Sequence, residues 1–293
     1  MLKACQRACA LAAMSVFLVA GSGTANAFTL NIIDYIDNND AVGNYPGVGE
    51  RTVTQDLNFN NPSDGVKVEA YGTLGANQAA IANIPTTGYP TGIGDVYAYL
   101  DGGGAGMGVC SGGLKSVNQC KTGSDDNVGV GANGQPGQTT EILSFSLDNN
   151  WDLDNLLFRD EGHRSDFYRN DTAGTERFIY VAVDGVDLDG NGASGVGDFV
   201  LFELEDLPTT QKDDLGASLL GWASIQNLSK DAFVHLKNYL PANGPYTQFY
   251  LSGIELSLPG GSTTEVPLPA GIVLLLTGLA GLGASSRFRK KAA

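Results

Sequence analysis

Basic side chains, histidine and cysteine are all scarce in this chain of 293 residues, and each shortage removes a class of function. Only 17 lysines and arginines stand against 32 aspartates and glutamates. Six of the basic residues (Lys3, Arg7, Arg287, Arg289, Lys290 and Lys291) lie at the two ends, whereas every acidic residue lies between Phe28 and Glu265. That stretch holds 11 basic and 32 acidic residues, a formal charge of −21. Such a surface repels nucleic acid and anionic lipid and attracts divalent cations, so nucleic-acid binding is excluded.

Two histidines, His163 and His235, are too few for a histidine-rich metal centre and leave little for acid–base chemistry. His163 stands in "RDEGHRSD" with Asp160, Glu161 and Asp166 close in sequence, which reads as a satisfied residue at an exposed strand end. No serine sits in a nucleophile elbow. The chain is therefore expected not to be an enzyme. The alternative is a secreted glycan-active hydrolase, because any two acids can meet across a cleft as a glycosidase pair.

Four cysteines divide into two groups. Cys5 and Cys9 belong to a secretory signal over residues 1–27: Lys3 and Arg7 give the basic start, Ala8 to Ala20 the apolar run, and Ala25-Asn26-Ala27 the small-residue cleavage site. Cleavage is expected between Ala27 and Phe28. Cys110 and Cys120 then remain, an even count in an exported chain, so a disulfide is expected over two free thiols. Neither a second cysteine pair nor a nearby histidine completes a zinc site.

What the chain does have is a distinctive C-terminus, "VPLPAGIVLLLTGLAGLGASSRFRKKAA" from Val266 to Ala293. No charge occurs between Ala270 and Ala284, and with its flanks the run reaches the twenty or so residues that cross a bilayer as a helix. Arg287, Arg289, Lys290 and Lys291 form a basic stop that stays cytoplasmic. Pro267 and Pro269 hold the preceding segment extended, a form that suits a protease. The order of Val266, Pro267, Leu268, Pro269 and Ala270, a Gly/Leu-rich span and a basic tail resembles the PEP-CTERM type of sorting signal in its VPLPA variant. Leu268 stands where the commoner form has glutamate.

The resemblance implies a Gram-negative protein that passes transiently through the inner membrane. There an exosortase-type enzyme processes it, and it reaches the cell surface or extracellular matrix, where exopolysaccharide or another glycan is the expected partner. The alternative is a permanently membrane-anchored envelope protein. A second stretch, "CSGGLKSVNQCKTGSDDNVG" with "ILSFSL" and "NLLFRDEGHRSDF" after it, resembles the sandwich domains that such proteins often carry, and implies a fold more than an activity.

Between the ends, 40 glycines argue against a mainly helical body, and an apolar, aromatic composition argues against disorder. "FTLNIID", "VKVEAYG", "DVYAYLD", "EILSFSL", "RFIYVAVD", "FVLFELE" and "QFYLSGIELSL" are short, period-two or apolar runs bounded by turn residues. They predict an all-β body, an antiparallel β-sandwich of jelly-roll type over residues 28–260, with a linker at 261–265 and the sorting segment at 266–293. "DDLGASLLGWASIQNLSKDAFVHLKN" fits a helix or a strand pair. "DGGGAGMG", Asp101 to Gly108, matches neither phosphate-binding fingerprint and reads as a flexible connector. Tyr97, Tyr99, Trp151, Tyr246 and Tyr250 are candidates for stacking on sugars.

The sharpest chemical pattern is "DLDGNGASGVGD". Asp187, Asp189 and Asn191 occupy positions one, three and five of a calcium loop, Gly192 the sharp-turn sixth, Ala193 the carbonyl-donating seventh and Asp198 the twelfth. The flanks read as strands, so the expectation is a calcium site in a β-hairpin, with a plain acidic turn as the alternative. "SDDN", Ser124 to Asn127, reads as a solvated turn, with a second cation loop as the alternative.

Overall fold

The described residues of the computed structural model are 27–37, 47–53, 55–59, 65–75, 96–111, 114–116, 119–120, 127–129, 140–164, 177–206, 215–239 and 247–259. They belong to one unit, Asn26–Gly260. Residues 1–26 of the expected signal, the expected linker at 261–265 and the expected sorting segment with its basic stop, 266–293, lie outside the described residues. Among those described, no helix is long and apolar enough to cross a membrane.

Sixteen strands and one α-helix follow in order: β1 (Phe28–Asn31), α1 (Ile32–Asp37), β2 (Arg51–Thr52), β3 (Leu57–Phe59), β4 (Val66–Leu74), β5 (Tyr97–Asp101), β6 (Gly106–Cys110), β7 (Leu114–Ser116), β8 (Gln119–Cys120), β9 (Glu141–Leu147), β10 (Trp151–Asp160), β11 (Phe178–Val183), β12 (Val200–Asp206), β13 (Ala217–Leu219), β14 (Ile225–Leu228), β15 (Val234–Asn238) and β16 (Phe249–Ser257). The body is mostly β and its named pairings are antiparallel. Fourteen strands join in one open sheet, in the order β2-β5-β6-β16-β10-β13-β12-β11-β15-β9-β4-β3, with β1 added to β16 and β14 to β10; β7 and β8 pair separately. Hydrogen bonding thus runs unbroken where two separate sheets were expected. The continuity comes from β12: Val200 to Glu203 pair with β11, and Leu204 to Asp206 pair with β13.

Period-two alternation carries one set of side chains inward. Ile179, Val181 and Val183 of β11, Leu143, Phe145 and Leu147 of β9, and Val234 and Leu236 of β15 all enter one core. Each fully buried Leu, Val or Phe contributes roughly 1.5–3 kcal/mol of transfer free energy. The sheet also folds over on itself, bringing β4 against β5. Gly72 permits this approach, since a methyl there would stand 2.5 Å from the Tyr97 carbonyl carbon.

Three local expectations change, and one open alternative is decided. The first strand stops at Asn31, because that side chain caps a helix: Asn31 Oδ1 accepts the Asp34 N–H at 3.0 Å, and Asn31 Nδ2 donates back to Asp34 Oδ2 at 2.6 Å. Ile32, Ile33, Tyr35 and Ile36 are then buried by α1. Only the first part of "DGGGAGMG" is a connector; Gly106 to Gly108 start the fully buried β6, whose glycines conceal its apolar pattern. The segment 215–239 forms strands β13, β14 and β15 and not a helix. Tyr99, Trp151 and Tyr250 are core residues, 3%, 4% and 1% exposed, and so offer no stacking face. Tyr97 is half-buried, and Tyr246 lies outside the described residues.

Cys110 and Cys120 form the expected disulfide, with their Cα atoms 5.8 Å apart, joining the end of β6 to β8. A disulfide agrees with an extracytoplasmic chain. Replacing both cysteines by alanine should lower stability by about 3 kcal/mol, read as an earlier urea midpoint. Gly72→Ala should cost about 1–3 kcal/mol through overpacking, and a melting temperature equal to that of the parent would contradict the close approach of β4 and β5.

Candidate metal centre

The hairpin from β11 to β12 is built by the same alternation that builds the sheet. After the Asp184-Gly185 turn, Val186 bridges back to Val183, and Val186 and Leu188 pack on the core. The residues between and after them, Asp187 and Asp189, are therefore turned to solvent. Asp187 organises the chain that follows. Its Oδ1 accepts the N–H groups of Gly190 at 2.7 Å and Asn191 at 3.1 Å, and its Oδ2 accepts that of Gly192 at 2.7 Å. Gly192 stands at φ +88°, the left-handed turn expected of the sixth position.

Asp187, Asp189 and Asp198 offer carboxylate oxygens that all lie within 4.8 Å of one another, a cluster that could hold a metal ion. Asn191 joins them: its Nδ2 donates to Asp189 Oδ2 and to Asp198 Oδ1, both at 3.0 Å, and its Oδ1 accepts the Ala193 N–H at 2.7 Å. The amide thus bridges two carboxylates as a cation would. Asp198 Oδ2 is shielded from solvent and has no hydrogen-bond partner. The N–H groups of Gly192 first, then Gly190 and Asn191, hold the Asp187 carboxyl below its ordinary value. That carboxyl is thereby kept anionic, the charge state a cation needs of its ligand. Of the five predicted residues, the three aspartates converge, Asn191 links two of them, and Ala193 is placed through its N–H.

A second constellation escaped sequence reasoning. Ser144 Oγ in β9 lies 2.9 Å from His235 Nδ1 in β15, and His235 Nε2 lies 3.3 Å from Asp184 Oδ1. The three residues have the order of a nucleophile–base–acid triad, but Ser144 is 0% and His235 1% exposed, and the ring of Phe233 stacks on that of His235. A nucleophile must reach its substrate, and Ser144 does not reach the surface. Burial would raise the Asp184 carboxyl, but the His235 hydrogen bond and charge and the Phe233 N–H outweigh it and leave it lowered.

His163 is satisfied, as expected: Nε2 lies 3.2 Å from Asp101 Oδ2, and the ring meets Tyr250 edge-on at 5.4 Å. Of the "SDDN" turn only Asn127 is described; its Oδ1 accepts Gln248 Nε2 at 3.3 Å, an internal structural bond. No family model, curated protein or solved structure matches this chain.

The lowered Asp184 value has a definite sign. Its stabilising effect is present above the unfolded carboxyl value, about 3.9, and is lost as the pH falls through the lower folded value. Urea midpoints measured from pH 6 down to pH 2 should fall less steeply at the acid end for Asp184→Asn than for the parent.

Proposed function

We propose that the chain is an exported structural protein of the bacterial surface matrix, with a calcium-binding hairpin loop on a jelly-roll-like β-sandwich body. The observation that carries the calcium part is the convergence of carboxylate oxygens from Asp187, Asp189 and Asp198 within 4.8 Å of one another. Hard carboxylate oxygens at this spacing suit a hard cation, and calcium tolerates the irregular geometry of a loop better than magnesium does. A bound cation would also relieve the mutual repulsion of three carboxylates on a body already at −21.

Export and sorting are supported by the two ends of the sequence and agree with the Cys110–Cys120 disulfide. On this reading the signal is cut between Ala27 and Phe28, and an exosortase-type enzyme acts near Val266 to Ala270. Glycan contact rests on the terminal resemblance, with half-buried rings of Phe178, Tyr180, Phe199 and Tyr239 grouped around Lys237 as the place to test it. Partly exposed aromatic faces can stack on sugar rings.

Titration calorimetry of the chelated protein should give one calcium site per chain, with a higher melting temperature in millimolar calcium. Asp198→Ala should remove both effects, and a calcium-independent melting temperature in the parent would defeat the calcium reading. Mass spectrometry should find a mature chain starting at Phe28 and ending near Val266; a chain still ending at Ala293 would defeat the sorting reading.

A further inference from the structure

The third carboxylate of the loop is not held by the loop alone. Asp198 donates its N–H to Gly195 O at 2.8 Å, closing the short 3-10 turn Gly195–Gly197. Gly195 is buried at φ +77°, and a methyl there would stand 2.6 Å from Asp184 Oδ1, so the Asp184 carboxylate is the seat on which the turn rests. Asp184 is fixed in its turn. Its N–H bonds Phe233 O at 3.0 Å, its Oδ2 accepts the Phe233 N–H at 3.3 Å, and its Oδ1 meets His235 Nε2. His235 is anchored on Ser144 at the centre of β9, a strand paired on both sides by β4 and β15.

A continuous chain of contacts therefore runs from the most buried part of the sheet to the backbone of Asp198. Three like charges within 4.8 Å repel one another unless something outside the cluster holds them. Asp187 and Asp189 have backbone N–H partners within the loop. Asp198 has the turn on Asp184 behind it. We infer that Ser144, His235 and Asp184 are positioning residues that preset the Asp198 carboxylate for the cation, in the way outer partners fix the ligands of other metal sites. This inference rests on the calcium reading of the loop and assigns the buried triad a supporting role in place of a catalytic one.

The test is calcium titration of the whole chain, with calcium alone as the probe, well below the melting temperature. His235→Ala removes no carboxylate and touches no ligand, yet it should weaken binding about tenfold. Asp184→Asn leaves one acceptor oxygen where the carboxylate offers two, to the Phe233 N–H and to His235 Nε2, and should weaken binding as well. If His235→Ala does not fold, Ser144→Ala makes a milder cut in the same chain and should still weaken binding several-fold. A purely structural triad would lower the melting temperature of these variants and leave their dissociation constants alone, and that result overturns the inference while sparing the calcium site. A parent chain that takes up no calcium overturns the calcium reading and, with it, the positioning role.

Discussion

A strand inside a sheet pairs its backbone donors and acceptors with its neighbours, and β12 changes partners midway. At the handover the Leu204 N–H turns to Arg177 O at 2.6 Å, and Glu203 O accepts the Leu220 N–H at 2.8 Å, where β11 gives way to β13. Arg177 Nε also reaches Glu203 Oε1 at 3.2 Å across the same point. A strand that switches partners in this way is how a sheet turns a corner. The remaining architecture follows from that corner: one run of hydrogen bonds continues into two stretches of sheet, and their inward faces share a single core. The hairpin that enters β12 is placed by it as well, since β11 and β12 must pair before the loop between them can close.

How much of this was legible follows from what side-chain pattern can encode. Each of the seven runs named from its pattern contains a strand, although the first turns into α1 after Asn31, because alternation reports directly which face is buried. Where the pattern misled, a local backbone event was responsible. Asn31 ends β1 by capping α1, a choice that a run of apolar residues cannot reveal. In β10, register shifts between Leu153 and Asn155 and between Leu157 and Phe158 break the alternation, so the longest strand carried the weakest signal. Gly106 and Gly108 hid β6 in the same way, by contributing no side chain to read.

The loop and the triad stand at opposite ends of legibility. Asp187 to Asp198 are close in sequence, so their spacing alone announces a convergence of carboxylates. Ser144 and His235 are 91 positions apart, and His235 and Asp184 are 51 apart. Only the pairing of β15 between β9 and β11 brings them together, and no spacing rule anticipates it. Burial decides the aromatic residues too: Tyr99, Trp151 and Tyr250 look like a binding face in the sequence because composition cannot say which side of a strand faces the core.

Strand β1 pairs along β16 with Phe28 opposite Leu256, so the chain enters and leaves the described body at neighbouring points. The consequence is mechanical. A pull applied beyond Leu258 would travel into β16, which is bonded lengthwise to β10 from Asp152 to Asp160 and to β1 along its other side. Force along such ladders shears many hydrogen bonds together instead of unzipping them one at a time. A body held by its C-terminal end would therefore bear load through its most extensively paired strand.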